Sequence, residues 1–555
     1  MSDRMHPLTS EQLLAWIMGE WNKDHAIFGC KEIYHAPEGG AYAFLGRRVE
    51  NGIGPAAGPH TQLAQNIIAA YVSGARIFEL KTVQCLDGAD LHVSKPCILA
   101  EDEGYNCEWS TELTVPQARD EYIRAWVFLH FIAKEYGLGA PDGFLFNMSV
   151  GYDLDGIKSE KIDHFIESLK DASNTESFRE CRELLRARLG EFTRFTEADL
   201  DAISPNICSS VTVSTMHGCP PEETERIAMY LLEEKKLNLF LKCNPTLIGY
   251  DKAKRVLGGL GFHYIHFEKE SFDKDLSFEE AKDLLKRVKE RAEALGLFFG
   301  VKMTNTFPVL ADHGDLPDKM MYMSGRALLP LSLRAASMIS EAFDGEISIS
   351  YCGGADDINI GALFSCGLYP VTVCTDLLKP GGYSRFARMA KRMEGMEVRR
   401  KPDGTRIARL AVFLGQPASA KRVLKRTPHS APQTADPCRS VCGVCASLCP
   451  NRANVIVQAE GNKYMVHLDR LCNECGNCAS FCPEKKAPYL ERVTVFASRR
   501  GLENSQNCGF AYSRDTDSFR YRWRGEVGVT LSDHDLPEEL RAIAEVIRLN
   551  CPWLL

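Results

Sequence analysis

No stretch of the 555-residue sequence holds the ~18–20 uninterrupted apolar residues that a membrane-spanning helix requires. The opening MSDRMHPLTSEQLLAWIMGE is broken by charge and lacks a secretory apolar region. With no span and no leader, the expected location is the cytoplasm, with no membrane partner. An excess of basic charge is also missing. Lys and Arg number 66 against 74 Asp and Glu, a formal net charge of −8. Such a chain has no long-range field to gather nucleic acid or an anionic membrane. Short basic patches such as VRRK at 398–401 sit near Pro and Gly and read as solvated loop. No strand-borne G-x-G-x-x-G with a following acidic residue occurs, so no dinucleotide-binding domain is visible. No repeat of solenoid period is visible either.

Cysteine, by contrast, is abundant: 21 residues, of which eight fall in two tight runs. The first is Cys438, Cys442, Cys445 and Cys449-Pro450; the second is Cys472, Cys475, Cys478 and Cys482-Pro483. In a reducing compartment the other 13 are expected as small buried apolar residues, not bridges. Thiolates suit iron because it is soft enough to prefer sulfur, and tight spacing lets one loop supply three corners of a [4Fe–4S] cluster. Zinc also takes paired cysteines, but two C-x2/3-C-x2-C-x3-C-P runs fit it poorly. The runs resemble those of two-cluster ferredoxins, in which the fourth cysteine of each run ligates the other cluster. That resemblance implies one set of Cys438, Cys442, Cys445 and Cys482, and another of Cys472, Cys475, Cys478 and Cys449.

Ahead of these runs, short apolar segments alternate with helical patterns, the mark of repeated βα units. Eight strand candidates stand at 51–57, 75–83, 143–150, 209–216, 238–244, 298–305, 346–353 and 369–376. Most are apolar throughout, as strands covered on both faces should be. Between them, LSFEEAKDLLKRVKERAEALG offers Ser277 and Glu280 as a capping box and one apolar stripe. The expected fold class is α/β: a (β/α)8 TIM barrel, then a two-cluster ferredoxin-like segment and a small C-terminal α+β tail. The expected domains are the barrel at 1–415, with long insertions at about 85–120 and 170–205, a linker at 416–435, the cluster segment at 436–487 and the tail at 488–555.

Barrel function sits at the C-terminal ends of the strands. Those ends carry Ala57-Gly58, Lys81-Thr82, Asn147, Lys242, Thr304-Asn305-Thr306, Gly353-Gly354 and Thr375-Asp376, in strand order. Glycines and hydroxyls after the last two strands are where barrels cradle phosphate. Lysines at two strand ends are costly in a dry interior unless they meet an anion or an electron-rich ring. A phosphate-bearing flavin satisfies all of these demands.

The series PAAGP (55–59), ELKTV (79–83), HG (217–218), FLKCNPT (240–246), TNT (304–306), SGRALLPLSLRA (324–335) and CGG (352–354) resembles the FMN barrel of dihydroorotate and dihydropyrimidine dehydrogenases. The nearest resemblance is to the YgfK-like branch labelled as selenate reductase subunits, which shares STMHGCPP-like stretches. Over about 340 residues the likeness implies FMN contacts from Ala57, Gly58, Lys81, Thr82, Asn147, Lys242, Thr304 and Asn305. Its phosphate would lie against Ser324, Gly325, Gly353, Gly354 and Thr375, with Asp376 also at the cofactor. Asn147, Asn244, Asn305 and Thr306 would face a substrate over the ring. The loop after the fourth strand departs from the family's N-x-S-(C/S)-P-(N/H). Here it reads TVSTMHG, so Thr212 replaces the Asn and Thr215 falls at the acid/base position. Cys219, ahead of a Pro-Pro helix start that would lower its pKa, and His217 are the other acid/base candidates. The implied activity is oxidation or reduction of a cyclic amide of pyrimidine, purine or hydantoin type, in nucleobase metabolism. Electrons would pass through both clusters. Because no FAD/NAD(P)H module precedes Leu555, a separate subunit in a hetero-oligomer is expected to supply it. The alternative is a non-catalytic electron-transfer or scaffold subunit with a degenerate barrel.

Overall fold

Runs rich in Val, Ile and Phe bury both faces only inside a helix-wrapped parallel sheet, and the eight candidate runs do so. The computed structural model describes all residues except 1–3, 38, 40–41, 101–102, 108–110, 216–217, 311–315, 400, 416–428, 436–437, 439 and 460. The central strands are β1 (Ile53–Pro55), β2 (Ile77–Glu79), β3 (Leu145–Gly151), β4 (Ser210–Ser214), β5 (Asn238–Cys243), β6 (Phe299–Met303), β7 (Ser348–Tyr351) and β8 (Val371–Val373). They pair in parallel in the order β1-β8-β7-β6-β5-β4-β3-β2. This is the order of a near-closed (β/α)8 barrel, as expected. Between β2 and β1 the Arg76 N–H donates to the Ile53 carbonyl at 2.9 Å. Gly54 allows that approach, since a Cβ there would overlap the Ile77 carbonyl.

The helices form for local reasons. Ser277 caps the helix Phe278–Ala294 in a capping box with Glu280, and Ala281, Leu284, Leu285, Val288 and Ala292 are its buried stripe. In Glu160–Lys170 the buried face is Ile162, Phe165, Ile166 and Leu169, while His164 stays outside, 2.9 Å from Arg119 Nη1. No helix among the described residues is long and apolar enough to cross a membrane.

The insertion at 85–120 supplies the strands Ile98–Ala100 and Glu103–Asn106, which join Met320–Gly325 and Phe307–Leu310 in an antiparallel sheet. This sheet stands over the C-terminal mouth of the barrel. A six-stranded sheet follows the cysteine runs, ordered Asn454–Ala459, Asn462–Leu468, Val493–Phe496, Gly509–Ser513, Ser518–Trp523 and Glu526–Thr530. It corrects one expectation. Asn462–Leu468 pairs directly with Val493–Phe496, so the sheet runs through the expected boundary at 487/488 and the tail is no separate layer. Most of the expected linker at 416–435 lies outside the described residues; its last part is anchored where Gln433 O accepts from the Arg524 N–H at 2.6 Å.

The cysteine-bearing segment packs on the barrel through polar contacts. Tyr383 Oη donates to Pro450 O at 2.6 Å, Asn477 Nδ2 to Leu378 O at 2.9 Å, and Arg452 Nε to Phe28 O at 2.8 Å. The N-terminal arm adds Arg470 Nη2 to Pro7 O at 2.6 Å. Barrel closure makes one clear test. Gly54→Ala should destabilise the protein by about 1–3 kcal/mol or prevent folding, as overpacking does, read as a lowered urea midpoint. An unchanged midpoint would mean that the β1–β2 seam is looser than described.

Candidate functional site

The lidded mouth of the barrel encloses a cavity of ≈ 330 Å³, within the range of small-molecule and cofactor sites. Its floor is set by register. Lys302 on β6 stands beside Lys242 on β5 and Ser350 on β7. Lys302 Nζ lies 2.6 Å from Glu79 Oε1 and donates to Ser350 Oγ at 3.0 Å and Thr372 Oγ1 at 2.7 Å. Glu79 is therefore already matched by Lys302. Lys81 and Lys242 also line the cavity. Burial pulls the Lys242 ammonium below its ordinary pKa, with Lys302 and Lys81 adding to that effect against Cys352 and Glu79.

Opposite the lysines, the wall narrows to backbone. Gly353 and Gly354 line it with Ser324, Gly325 and Thr375. A Cβ on Gly353 would collide with Ser332, and one on Gly354, at φ +78°, would sit 2.7 Å from Gly325 O. Ser324 Oγ lies 2.7 Å from Thr375 Oγ1. A glycine-lined cradle with two hydroxyls, on one cavity with Lys81 and Lys242, fits the shape and charge of a phosphate-bearing flavin.

The structure brings Ala57, Gly58, Lys81, Lys242, Thr304, Asn305, Thr306, Ser324, Gly325, Gly353, Gly354, Thr375 and Thr215 together on this cavity. Other candidates lie elsewhere. Asn147 is spent inside the barrel: its Nδ2 donates to Thr212 Oγ1 and its Oδ1 accepts from Ser210 Oγ, both at 2.7 Å. This pairing also explains why a threonine stands at 212. Thr82 bonds Ser149 Oγ at 2.8 Å, and Asp376 holds Arg385 Nη1 at 3.0 Å. Asn244 stands one step back, accepting from Asn305 Nδ2 at 2.9 Å while donating to Asp275 at 3.0 Å. Asp275 also takes the Gly218 N–H at 2.8 Å, so one carboxylate pins both the β4 loop and the carboxamide chain behind Asn305.

Of the three acid/base candidates, Thr215 alone reaches the cavity among the described residues; His217 lies outside them. Cys219 faces a different surface hollow beside Glu222, Glu223 and Arg226. Its thiol pKa is raised, with burial as the main cause, so the expected lowering by the helix start does not hold. A lone helix terminus cannot offset desolvation there.

Several lining residues carried no sequence signal. Tyr105, Asn106 and Glu112 come from the insertion, Tyr322 from the lid, and Cys352 and Cys374 from the ends of β7 and β8. Asn473 arrives from the cysteine-rich segment and donates to Glu112 Oε1 at 2.6 Å. Its position beside Cys472 was the available hint.

The eight run cysteines gather into two sets. The sulfurs that raise the Cys445 pKa by repulsion are Cys438, Cys482 and Cys442; those acting on Cys472 are Cys475, Cys449 and Cys478. Each set thus takes its fourth member from the other run. Burial pushes Cys445 up to about 12 and Cys472 and Cys478 well above the ordinary thiol range, so thiolates here need a cationic occupant. The second set adjoins the cavity, because Ile98 N–H on the lid donates to Cys475 O at 3.0 Å.

A parallel barrel with a lidded cavity lined by two lysines and an appended eight-cysteine segment defines a TIM-barrel protein of the redox type. Residues 28–425 match the family described as "Oxidoreductase YgfK, N-terminal TIM-barrel domain", and the chain belongs to that family. It is 44% identical over 411 residues to YgfK of Escherichia coli strain K12 and, to the same extent, to YgfK of E. coli O157:H7. The alignments cover 72% of this chain but only 40% of those relatives' length. Among solved structures, DHODH from Eimeria tenella in complex with ferulenol aligns with a TM-score of 0.41 and 14% identity, covering 64% of this chain and 84% of that one.

Lys242 provides a test of the cavity's charge. Its lowered pKa means that, between that value and the ordinary 10.5, the unfolded chain binds more protons than the folded one. The folded state is therefore penalised most at low pH and relieved as pH rises. Flavin-free Lys242→Met should melt higher than wild type at pH 7, with the difference shrinking toward pH 10. A lower melting temperature at pH 7 would contradict a net burial penalty on the Lys242 ammonium.

Proposed function

We propose that the chain is an iron–sulfur flavoprotein subunit that binds FMN in the barrel mouth and oxidises or reduces a cyclic amide of pyrimidine, purine or hydantoin type. The observation that carries this reading is the shared wall: one cavity is bordered by Lys81 and Lys242 on one side and by Asn473 of the cysteine-rich segment on another. Bound FMN would supply hydride chemistry at its ring. Lys81 and Lys242 offset negative charge on that ring, and the glycine cradle with Ser324 and Thr375 takes the phosphate. Asn305 is held by Asn244 and by Ser214 Oγ at 3.3 Å, which leaves it oriented to receive a ring amide. Thr215 holds or passes a proton at its hydroxyl. The lid strands exclude water. The contact of Ile98 with Cys475 gives electrons a short route to the second cysteine set, and from there to the first. Exchange with a separate FAD/NAD(P)H-binding subunit in a hetero-oligomer completes the proposal, in a nucleobase-type pathway.

The degenerate-barrel reading has one observation in its favour, the departure of the β4 loop. Anaerobic reconstitution separates the two. On the FMN reading the protein takes up about one FMN and about eight iron, with flavin bands above the broad cluster absorbance. Lys81→Met and Lys242→Met should each weaken FMN at least about tenfold, as loss of charge-assisted contacts does. Iron uptake with no flavin bands after reconstitution would leave only the scaffold reading.

A further inference from the structure

The two cysteine sets differ in access to solvent. Cys449, Cys472, Cys475 and Cys478 are all buried, against the barrel. In the other set Cys442 is exposed, and Cys438 and Cys482 are partly so. The wire therefore has an inner end at the cavity and an outer end at the surface.

The surface beside that outer end has its own chemistry. Asn454–Ala459 is an edge strand, paired on one side only. Alternate residues share a face, so Asn454, Ile456 and Gln458 look the same way. Asn454 donates to Cys445 O at 3.4 Å, and Ile456 Cδ1 lies 3.2 Å from where a Cβ on Gly443 would stand. This face is thus the one next to the outer cysteine set. Ile456 is 42% exposed, unusual for a large apolar side chain. Lys463 is registered opposite Gln458 and so continues the face outward, exposed. Lys485, also exposed, stands three residues after Cys482, its N–H bonded to Cys482 O at 2.9 Å. The described acidic neighbour, Glu484, is engaged by Arg492 at 3.1 Å and Ser440 at 3.3 Å. A chain of net charge −8 thus carries a small apolar spot rimmed by lysine at the exposed edge of the wire.

We propose that Cys442–Val444, Ile456, Lys463 and Lys485 form the electron-exchange surface of the protein, and that its occupant is a separate flavoprotein presenting an acidic face. The inference rests on the iron–sulfur part of the proposed function and not on FMN in the barrel. One electron leaves the outer cluster as one is gained by the partner's flavin, or the reverse, with no bond made or broken. Lysines at a rim act on encounter, raising association rates that fall with salt. Ile456 supplies the dry contact that brings the two centres close.

The test uses the full chain with clusters reconstituted, reduced by dithionite and mixed with oxidised flavodoxin, a small acidic flavoprotein. Bleaching and recovery of the cluster absorbance give the second-order rate. The expected rate falls about tenfold or more between low and high salt. Lys463→Glu/Lys485→Glu should slow the low-salt reaction at least about tenfold and flatten its salt dependence. Ile456→Asp should slow it at all salt concentrations. Lys282→Glu, on the outer barrel helix, should leave it unchanged, and basic cytochrome c should not gain at low salt. Retained far-UV dichroism and cluster absorbance certify each variant. If the clusters reduce normally but neither variants nor salt alter the rate, the surface is wrong while the wire stands. If dithionite changes no cluster band, the iron–sulfur reading falls and takes the surface with it.

Discussion

The barrel is organised around one buried carboxylate. Glu79, at the end of β2, is matched by Lys302 from β6 and accepts from Ser350 of β7 at 3.4 Å and Thr372 of β8 at 3.0 Å. Four strands therefore meet at a single side chain. A buried ion pair gives little net stability, yet losing either partner leaves an uncompensated charge and costs about 3–5 kcal/mol. Its value here is geometric. It holds the register of half the barrel and pairs Glu79 with Lys302, while Lys81 and Lys242 line the cavity beside it.

The two lysines shape what the mouth can do, since a basic lining suits an anionic ligand. Around them the wall is built from three sources: strand ends, the insertion strands Ile98–Ala100 and Glu103–Asn106, and Asn473 of the cysteine-rich segment. The insertion is the element on which the site converges. It closes the mouth, presents Glu112 to Asn473, and carries the Ile98–Cys475 bond. The cavity therefore shares its wall with the cysteine-rich segment through fixed contacts rather than a moving part.

The eight strands were legible because each is a short apolar run between turn signals, and burial on both faces leaves that trace in composition. The helix caps were legible for the same local reason: Ser277 and Glu280 act within one turn. The cysteine runs were legible because their spacing lies within a few residues of chain. Polar residues at strand ends were harder. Lys81 follows the end of β2 by two residues, whereas Asn147 is the third of seven residues in β3, level with Glu79 in the barrel layer. Asn147 turned inward to Ser210 and Thr212. Thr82 and Asp376 found partners in Ser149 and Arg385. Cys219 was placed by the direction of its loop, which no local pattern records.

The sequence by itself determined the parallel barrel, the lysine pair and glycine cradle at its mouth, and the two cysteine runs, since each depends on periodicity or spacing within a few residues. Only the tertiary structure decided that Glu79 is matched by Lys302, that Asn473 and Glu112 complete the cavity, and that the C-terminal region shares a sheet with the cysteine-rich segment. It also decided that Cys442 is exposed while Cys449, Cys472, Cys475 and Cys478 are buried. Those facts join residues far apart in sequence, as with Glu112 and Asn473. Such contacts follow from packing and register, which no stretch of chain specifies alone.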